Sequence, residues 1–385
     1  MTRAKKRKLK QVAVIAMLFS PILSIIFQLC HLTADNFPSQ STPAARPASS
    51  VLNNGNTRRP PLAIIITPQR EVIGDPGFLL DVAIIGFPKC GTTALQDWLS
   101  QHPQIELLPG EAFPLMYRKP YLLIWRLYTQ LPDGPGKLIR GYKNPLDIRT
   151  PTSMHYLSTL FPRTLLVVGL RHPVYWFESL YNFKIQNLPP QVDPAVFGDP
   201  NLLIDECEDW SDPHCVGTAK GWFHVYLAAL GKVPFPDEWR SEYPRYLQNI
   251  SSATRIPNPI FLYETNQLNF DSNSTTNTAQ YSRQFRKDLG KLLGVESPLD
   301  MPMSRAKPDM NHFNQRQQRR KDRNKIHICD DRYAPLRQAL MVIARRTSEW
   351  IRNDFLMSPD VFVSSPEYFK ALMLKWMLDP CESKQ

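Results

Sequence analysis

The segment from Asp81 to Gln101 constrains the fold more than any other. Asp81-Val-Ala-Ile-Ile-Gly86 reads as a short buried strand. Phe87-Pro-Lys-Cys-Gly-Thr-Thr93 follows as a compact loop. Ala94 to Gln101 then reads as a helix, with Leu95, Trp98 and Leu99 on one face, and His102-Pro103 ends it. A strand, a glycine-bearing loop and a helix N-terminus in that order form an anion site. Backbone N–H groups and the positive end of the helix converge there on negative oxygens.

The loop resembles the phosphate-binding G-x-x-x-x-G-K-[ST] motif of nucleotide-hydrolysing proteins, with one departure. Gly86 and Gly91 keep the spacing, but Thr92 stands where that motif has lysine, and the lysine has moved forward to Lys89. Such a loop can hold a phosphate and place an ammonium beside it. It lacks the lysine–hydroxyl pair that serves a nucleoside triphosphate and its magnesium. A second strand-to-helix joint follows. Thr164-Leu-Leu-Val-Val-Gly169 is apolar throughout and runs into Leu170-Arg-His-Pro-Val-Tyr-Trp-Phe-Glu-Ser-Leu-Tyr181. Pro173 suits the first turn of a helix. Arg171, at the end of its strand, is placed to grip a second phosphate or to pair with a surface carboxylate.

The two joints together resemble the sulfotransferases that use 3'-phosphoadenosine 5'-phosphosulfate. Pro88-Lys-Cys-Gly-Thr-Thr93 is similar to their 5'-phosphosulfate loop, and Arg171-His-Pro173 with Ser179 and Tyr181 to their 3'-phosphate element. Within that family the chain looks most like the Golgi membrane-anchored glycan enzymes of the heparan-sulfate type. His102-Pro-Gln-Ile with Gly110-Glu111-Ala-Phe113, and Gly141-Tyr-Lys-Asn-Pro145, are similar to two of their segments, and the late cysteine pair is similar in kind. The resemblance implies a three-layer α/β fold around a parallel sheet, like that of P-loop proteins. It also implies sulfuryl transfer from that nucleotide donor to a hydroxyl or amine of a glycan, anionic in character, with no metal required.

In this reading Lys89 neutralises the leaving phosphate. Backbone N–H groups from Cys90 through Gly91, Thr92 and Thr93, with the two threonine hydroxyls, hold the 5'-phosphate. Arg171 and Ser179 hold the 3'-phosphate. Glu111 leads as the base, with His102 and His155 as chemical rivals; His102 also fits a helix cap, and His172 a structural or donor-facing role. Lys143 orients the base or acceptor, or is a plain surface lysine. Arg305, Lys307, Arg316, Arg319, Arg320, Lys321, Arg323 and Lys325, against two Asp, form a basic run. It either binds an anionic polymer or is a solvated loop. Ile260-Phe-Leu-Tyr-Glu264 reads as a further strand, and Tyr333 to Met357 as a packing helix.

Before the domain, Val12 to Leu29 is nearly all apolar, and six of the chain's +11 charges precede it in the first ten residues. Eighteen helical residues span roughly 27 Å, close to a bilayer's hydrocarbon thickness. Basic residues stay cytosolic, so the bulk of the chain is expected in a lumen. A cleaved signal peptide is the alternative. The expected organisation is a cytoplasmic tail (1–11), an anchor (12–30), a stem (31–75) and a sulfotransferase domain (76–385). That makes a type II protein, placed in the Golgi by the resemblance.

The remaining +5 is too mild for a nucleic-acid binder. Sequons at Asn249 and Asn273 would serve in a secretory lumen. Cys207, Cys215, Cys329 and Cys381 allow three pairings; Cys207 with Cys215 closes a short loop, and Cys329 with Cys381 then follows. The absence of any C-x-x-C pair speaks against structural zinc. Rival readings are a sulfotransferase for a small molecule or tyrosine, a P-loop nucleotide kinase, and a glycan-binding relative without turnover.

Overall fold

The computed structural model of the chain describes residues 59–131, 138–187, 200, 222–234, 236–237, 255–268, 277–296, 299 and 325–382. The anchor, most of the stem, Cys207, Cys215, Asn249, Asn273 and the basic run from Arg305 to Arg323, with Arg319 and Arg320, lie outside these residues. Among the described residues, no helix is long and apolar enough to cross a membrane.

The elements run β1 (Val82–Gly86), α1 (Thr92–Leu99), β2 (Ile105–Leu107), α2 (Pro120–Gln130), β3 (Ile139–Lys143), α3 (Pro151–Leu160), β4 (Leu165–Leu170), α4 (Pro173–Gln186), α5 (Trp222–Ala228), β5 (Ile260–Glu264), α6 (Asn277–Leu293), α7 (Ala334–Asn353), β6 (Val361–Val363) and α8 (Pro366–Lys375). The strands form one sheet in the order β2-β3-β1-β4-β5-β6, and every neighbouring pair is parallel. The fold is therefore α/β with a central parallel sheet.

β1, β4 and β5 are buried at every position, as unbroken apolar runs in a sheet covered on both faces must be. Alternate residues feed two separate cores. Val82, Ile84, Val167 and Phe261 pack with Leu95, Trp98 and Leu99 of α1 and Phe285 and Leu289 of α6. Ala83, Ile85, Leu166, Val168 and Leu262 pack on the other face with α2, α3, α4, α5, α7 and α8.

Three boundaries differ from the sequence reading. α1 begins at Thr92 rather than Ala94 and ends at Leu99, because its first turn needs free N–H groups rather than apolar side chains. α7 stops at Asn353, and a 3-10 turn, Phe355–Met357, completes the expected span. The boundary between stem and domain at 75 is too late. Ile65 and Ile66 are buried in the same core as α2 and α3, so packing begins in the low sixties.

The chain turns from one half of the sheet to the other beside β1. β2 and β3 lie to one side of it, β4 and β5 to the other. In an open parallel sheet such a switch point, beyond the strands' C-terminal ends, is the place where ligands bind. Gly86 and Leu170, the last residues of β1 and β4, border it.

A disulfide joins Cys329, ahead of α7, to Cys381, beyond α8, across a separation of 52 residues. Cys90 is a free, buried thiol. Replacing both Cys329 and Cys381 with serine should lower stability by about 4 kcal/mol in the chain-entropy account of such a loop, read by urea unfolding against the oxidised wild type.

Candidate active site

The loop between β1 and α1 opens with a tight turn. The Cys90 N–H donates to the Phe87 carbonyl at 3.2 Å, with Pro88 and Lys89 at the corners. Lys89 sits at φ 66° and Gly91 at φ 78°. A non-glycine residue held in this left-handed region costs on the order of 1 kcal/mol. The sequence reading gave the Cys90 N–H to a phosphate; the turn already uses it. The donors that remain belong to the helix start. The Leu95 N–H makes the first bond of α1, to the Gly91 carbonyl, so Thr92, Thr93 and Ala94 have N–H groups without partners inside the helix. A side chain at Gly91 would collide with Leu268, whose Cδ1 lies 2.6 Å from the position of a Cβ.

Three consecutive carbonyls of this loop each accept from a side chain of the neighbouring elements. Trp176 Nε1 donates to Pro88 O at 2.9 Å, Arg171 Nη1 to Lys89 O at 3.3 Å, and Tyr263 Oη to Cys90 O at 2.9 Å. With the carbonyls committed to the α4, β4 and β5 side, the loop's oxygens do not oppose an anion at the start of α1. Tyr263 reaches its carbonyl because Gly169 faces it from β4. A Cβ on Gly169 would lie 2.4 Å from the tyrosine's Cζ and Oη.

The charges are arranged around this frame. Burial, and then the Arg171 guanidinium, push the Lys89 ammonium below its ordinary pKa, while Cys90 and Glu111 act the other way. The Lys89 ammonium lies 4.1 Å from the centre of the Phe183 ring. Burial pushes the Cys90 thiol well up, so it stays protonated and packs as an apolar group. Glu264 pairs in register with Leu170, one residue before Arg171. Its carboxylate accepts from the Asn266 N–H at 2.7 Å and the Thr265 hydroxyl at 3.2 Å. Burial still pushes it up to about 7, against the pull of those donors and of Arg171.

A second chain of contacts brings Glu111 to the loop. Lys143, at the end of β3 and 3% exposed, donates to Glu111 Oε1 at 3.1 Å and to Thr93 Oγ1 at 2.9 Å. The Ala112 N–H donates to the Lys143 carbonyl, which sets the segment carrying Glu111 beside the end of β3. Gln96 of α1 ties down the approach, donating to the Leu108 and Gly110 carbonyls at 2.8 and 3.0 Å. Beneath Lys143, Asp147 accepts from the Tyr142 hydroxyl at 2.7 Å and from Asn144 at 2.8 Å, and burial pushes its carboxyl up to about 7. Glu111 keeps 39% of its side chain exposed, so an acceptor can reach it.

The other candidates fall differently. Ser179 is half-buried on α4, eight residues beyond Arg171. His172 caps α4, its Nδ1 accepting the Val174 N–H at 3.3 Å; burial pushes it down to about 4. His102 accepts the Gln104 N–H at 3.2 Å and shapes the turn after α1. His155 is exposed on α3, and none of its described contacts reaches the loop. Among the described residues, no group of three or more His, Cys, Asp or Glu stands together to hold a metal ion.

Trp176, Tyr263 and Phe183 were not foreseen as site residues. Tyr263 had one legible signal, a hydroxyl inside an otherwise apolar strand, opposite a strand glycine.

No protein-family model matches the chain, and no curated protein is similar to it in sequence. Among solved structures, a sulfotransferase from Alicyclobacillus acidocaldarius is similar at 15% identity, covering 69% of this chain and 95% of that one, with a TM-score of 0.35.

Tyr263→Phe leaves the buried Cys90 carbonyl unpartnered, and should cost about 1–3 kcal/mol in urea unfolding. Glu264 gives a pH test. Its folded pKa of about 7 lies above the ordinary 4.5, so the folded state holds a proton that the unfolded state releases. Its effect on stability is absent below pH 4.5, grows unfavourable as pH rises, and levels off above about 7. Glu264→Gln should therefore be more stable than wild type at pH 8 by about 3 kcal/mol, and level with it near pH 4, in paired unfolding curves.

Proposed function

We propose that the chain is a sulfotransferase that moves a sulfuryl group from 3'-phosphoadenosine 5'-phosphosulfate to a hydroxyl or amine of an anionic glycan. The observation that carries this reading is the position of Lys143, its ammonium shared between Thr93 at 2.9 Å and Glu111 at 3.1 Å. In a nucleoside-triphosphate site the hydroxyl at the start of this helix ligates magnesium. Here that hydroxyl oxygen faces a fixed ammonium, which disfavours a second cation and holds a carboxylate ready beside the loop.

The residues present fit the donor. Its 5' end suits the N–H groups of Thr92 and Thr93, the Thr92 hydroxyl and the Lys89 ammonium; its 3'-phosphate suits Arg171 and Ser179. When bound, the donor supplies a sulfuryl group whose departure leaves a bisphosphate. Glu111 takes the proton of the acceptor hydroxyl as the new O–S bond forms. Lys143 holds that carboxylate aimed at the acceptor. Lys89 neutralises the charge that gathers on the departing 5'-phosphate oxygen as the old S–O bond breaks. Its lowered pKa, caused first by burial, makes the ammonium the stronger acid for that role.

The N-terminal basic run and apolar segment support a type II anchor with the domain in the Golgi lumen. The basic run from Arg305 to Lys325 supports an acceptor with negative groups, with Arg319 and Arg320 among its ligands.

The test is transfer of labelled sulfate to a panel of glycans, a tyrosine peptide and a sterol. Lys89→Ala should reduce kcat by about 10²–10³-fold. Glu111→Gln should reduce it by about 10²–10⁴-fold. Arg171→Ala should act chiefly on donor KM. A chain that fails to bind adenosine 3',5'-bisphosphate, or that turns over ATP with magnesium, would overturn the reading.

A further inference from the structure

The Lys89 ammonium rests on an aromatic ring rather than on a carboxylate. It lies 4.1 Å from the centre of the Phe183 ring, and among the described residues it makes no hydrogen bond or ion pair. The backbone that carries it is fixed from several sides. Arg171 Nη1 holds the Lys89 carbonyl at 3.3 Å, Trp176 Nε1 holds the Pro88 carbonyl at 2.9 Å, and the Cys90 N–H closes the turn at 3.2 Å. None of these contacts fixes the end of the lysine's flexible four-carbon stem.

Helix α4 supplies that stop. Trp176, Ser179 and Phe183 stand at i, i+3 and i+7, on one stripe of the helix. The first of them touches Pro88 and the last touches Lys89, so the stripe lies along the loop with Ser179 between its two contacts. Phe183 is 45% exposed, so core packing does not account for a large ring at this position.

We propose that Phe183 is a positioning residue for Lys89, the face of its ring holding the ammonium beside the anion site of the loop. That the ammonium serves a departing phosphate rests on the sulfuryl-transfer reading; its hold by the ring does not.

The face of an aromatic ring is negative and attracts an ammonium, more strongly as water is removed. Burial and then Arg171 disfavour the charge on Lys89, while Cys90 and Glu111 favour it. Of those two, Cys90 stays protonated, and Glu111 is engaged by Lys143 at 3.1 Å. A carboxylate in the place of the ring would stabilise the ammonium too, but it would also repel an incoming phosphate. The ring steadies the cation without adding a negative charge to the site.

The experiment replaces Phe183, in the full chain, with phenylalanines that carry one, two and three fluorines. These keep the shape of the ring and drain charge from its face. The lysines are methylated with 13C for NMR, and the Lys89 signal is the one missing from Lys89→Arg. In wild type that signal should lie upfield of the other lysines, shifted by the ring current. Its pKa should fall stepwise along the fluorine series, by about one unit in all. In unmethylated protein, kcat for sulfuryl transfer should fall in step, by about 3–30-fold in all. Donor KM should stay within about twofold, because the ammonium counts most as charge gathers on the leaving oxygen. Phe183→Tyr and Phe183→Trp should keep the upfield signal and the rate, and Phe183→Leu should lose both.

A purely structural ring would leave pKa and kcat flat along the fluorine series, and that result would sink the proposal. So would a Lys89 signal with no upfield displacement. A rise in kcat or in adenosine 3',5'-bisphosphate affinity in Phe183→Leu would also sink it, since the ring would then compete with the phosphate for the ammonium. An upfield, fluorine-sensitive Lys89 signal in a chain that binds no bisphosphate would uphold the positioning of Lys89 and overturn the sulfuryl-transfer reading alone.

Discussion

A backbone that offers its N–H groups to an anion must also dispose of its carbonyls, because each peptide carries both. In this chain the solution is local and repeated three times. Trp176, Arg171 and Tyr263 take the carbonyls of Pro88, Lys89 and Cys90 in turn. These donors come from α4, from the end of β4 and from β5, so the parallel order of the sheet is what delivers them to one loop. The left-handed backbone of Lys89 and Gly91 follows from the same requirement: the chain must turn sharply enough to enter α1 with its first N–H groups exposed. Fold and site are one arrangement here, since the loop has no such geometry apart from its neighbours.

Charge is distributed with similar economy. Lys89 and Arg171 sit close enough that each raises the cost of the other, and Glu111 offsets part of that cost for Lys89. Arg171 in turn draws down the pKa of the buried Glu264, though not enough to undo the rise that burial causes. Lys143 ties Glu111 to Thr93. Its neutralising charge falls on the carboxylate rather than on the loop, so the loop keeps its positive character. The site is therefore polarised, with the Glu111 carboxylate and Lys143 ammonium at one end and two half-buried cations, Lys89 and Arg171, at the other.

Much of this was legible in the residues. β1, β4 and β5 announced themselves as continuous apolar runs, since central parallel strands are buried on both faces. β2 and β6 have three residues each, too few for any period to emerge. Lys89 and Arg171 could be placed because their strand-to-helix joints are local in sequence. The contact between Lys143 and Glu111 could not be derived from spacing, because it spans 32 residues and depends on β3 lying beside the strand that leads to Glu111. The use of the Cys90 N–H inside its own turn was also invisible, because it depends on a backbone angle at Lys89 that lysine rarely adopts. The stretch rich in Pro, Ser, Thr, Asn and Ala ends near Pro61, and just beyond it two buried isoleucines, Ile65 and Ile66, fasten the chain to the core.

The meeting of Gly169 with Tyr263 has a bearing on how such a chain can change over time. The glycine leaves a void the shape of a phenol ring, and the ring's hydroxyl closes the loop. Enlarging residue 169 first expels the ring. Shrinking residue 263 first opens a hole and strands a carbonyl. Neither order of substitution passes through a sound intermediate, so two positions nearly a hundred residues apart are bound to change together or not at all.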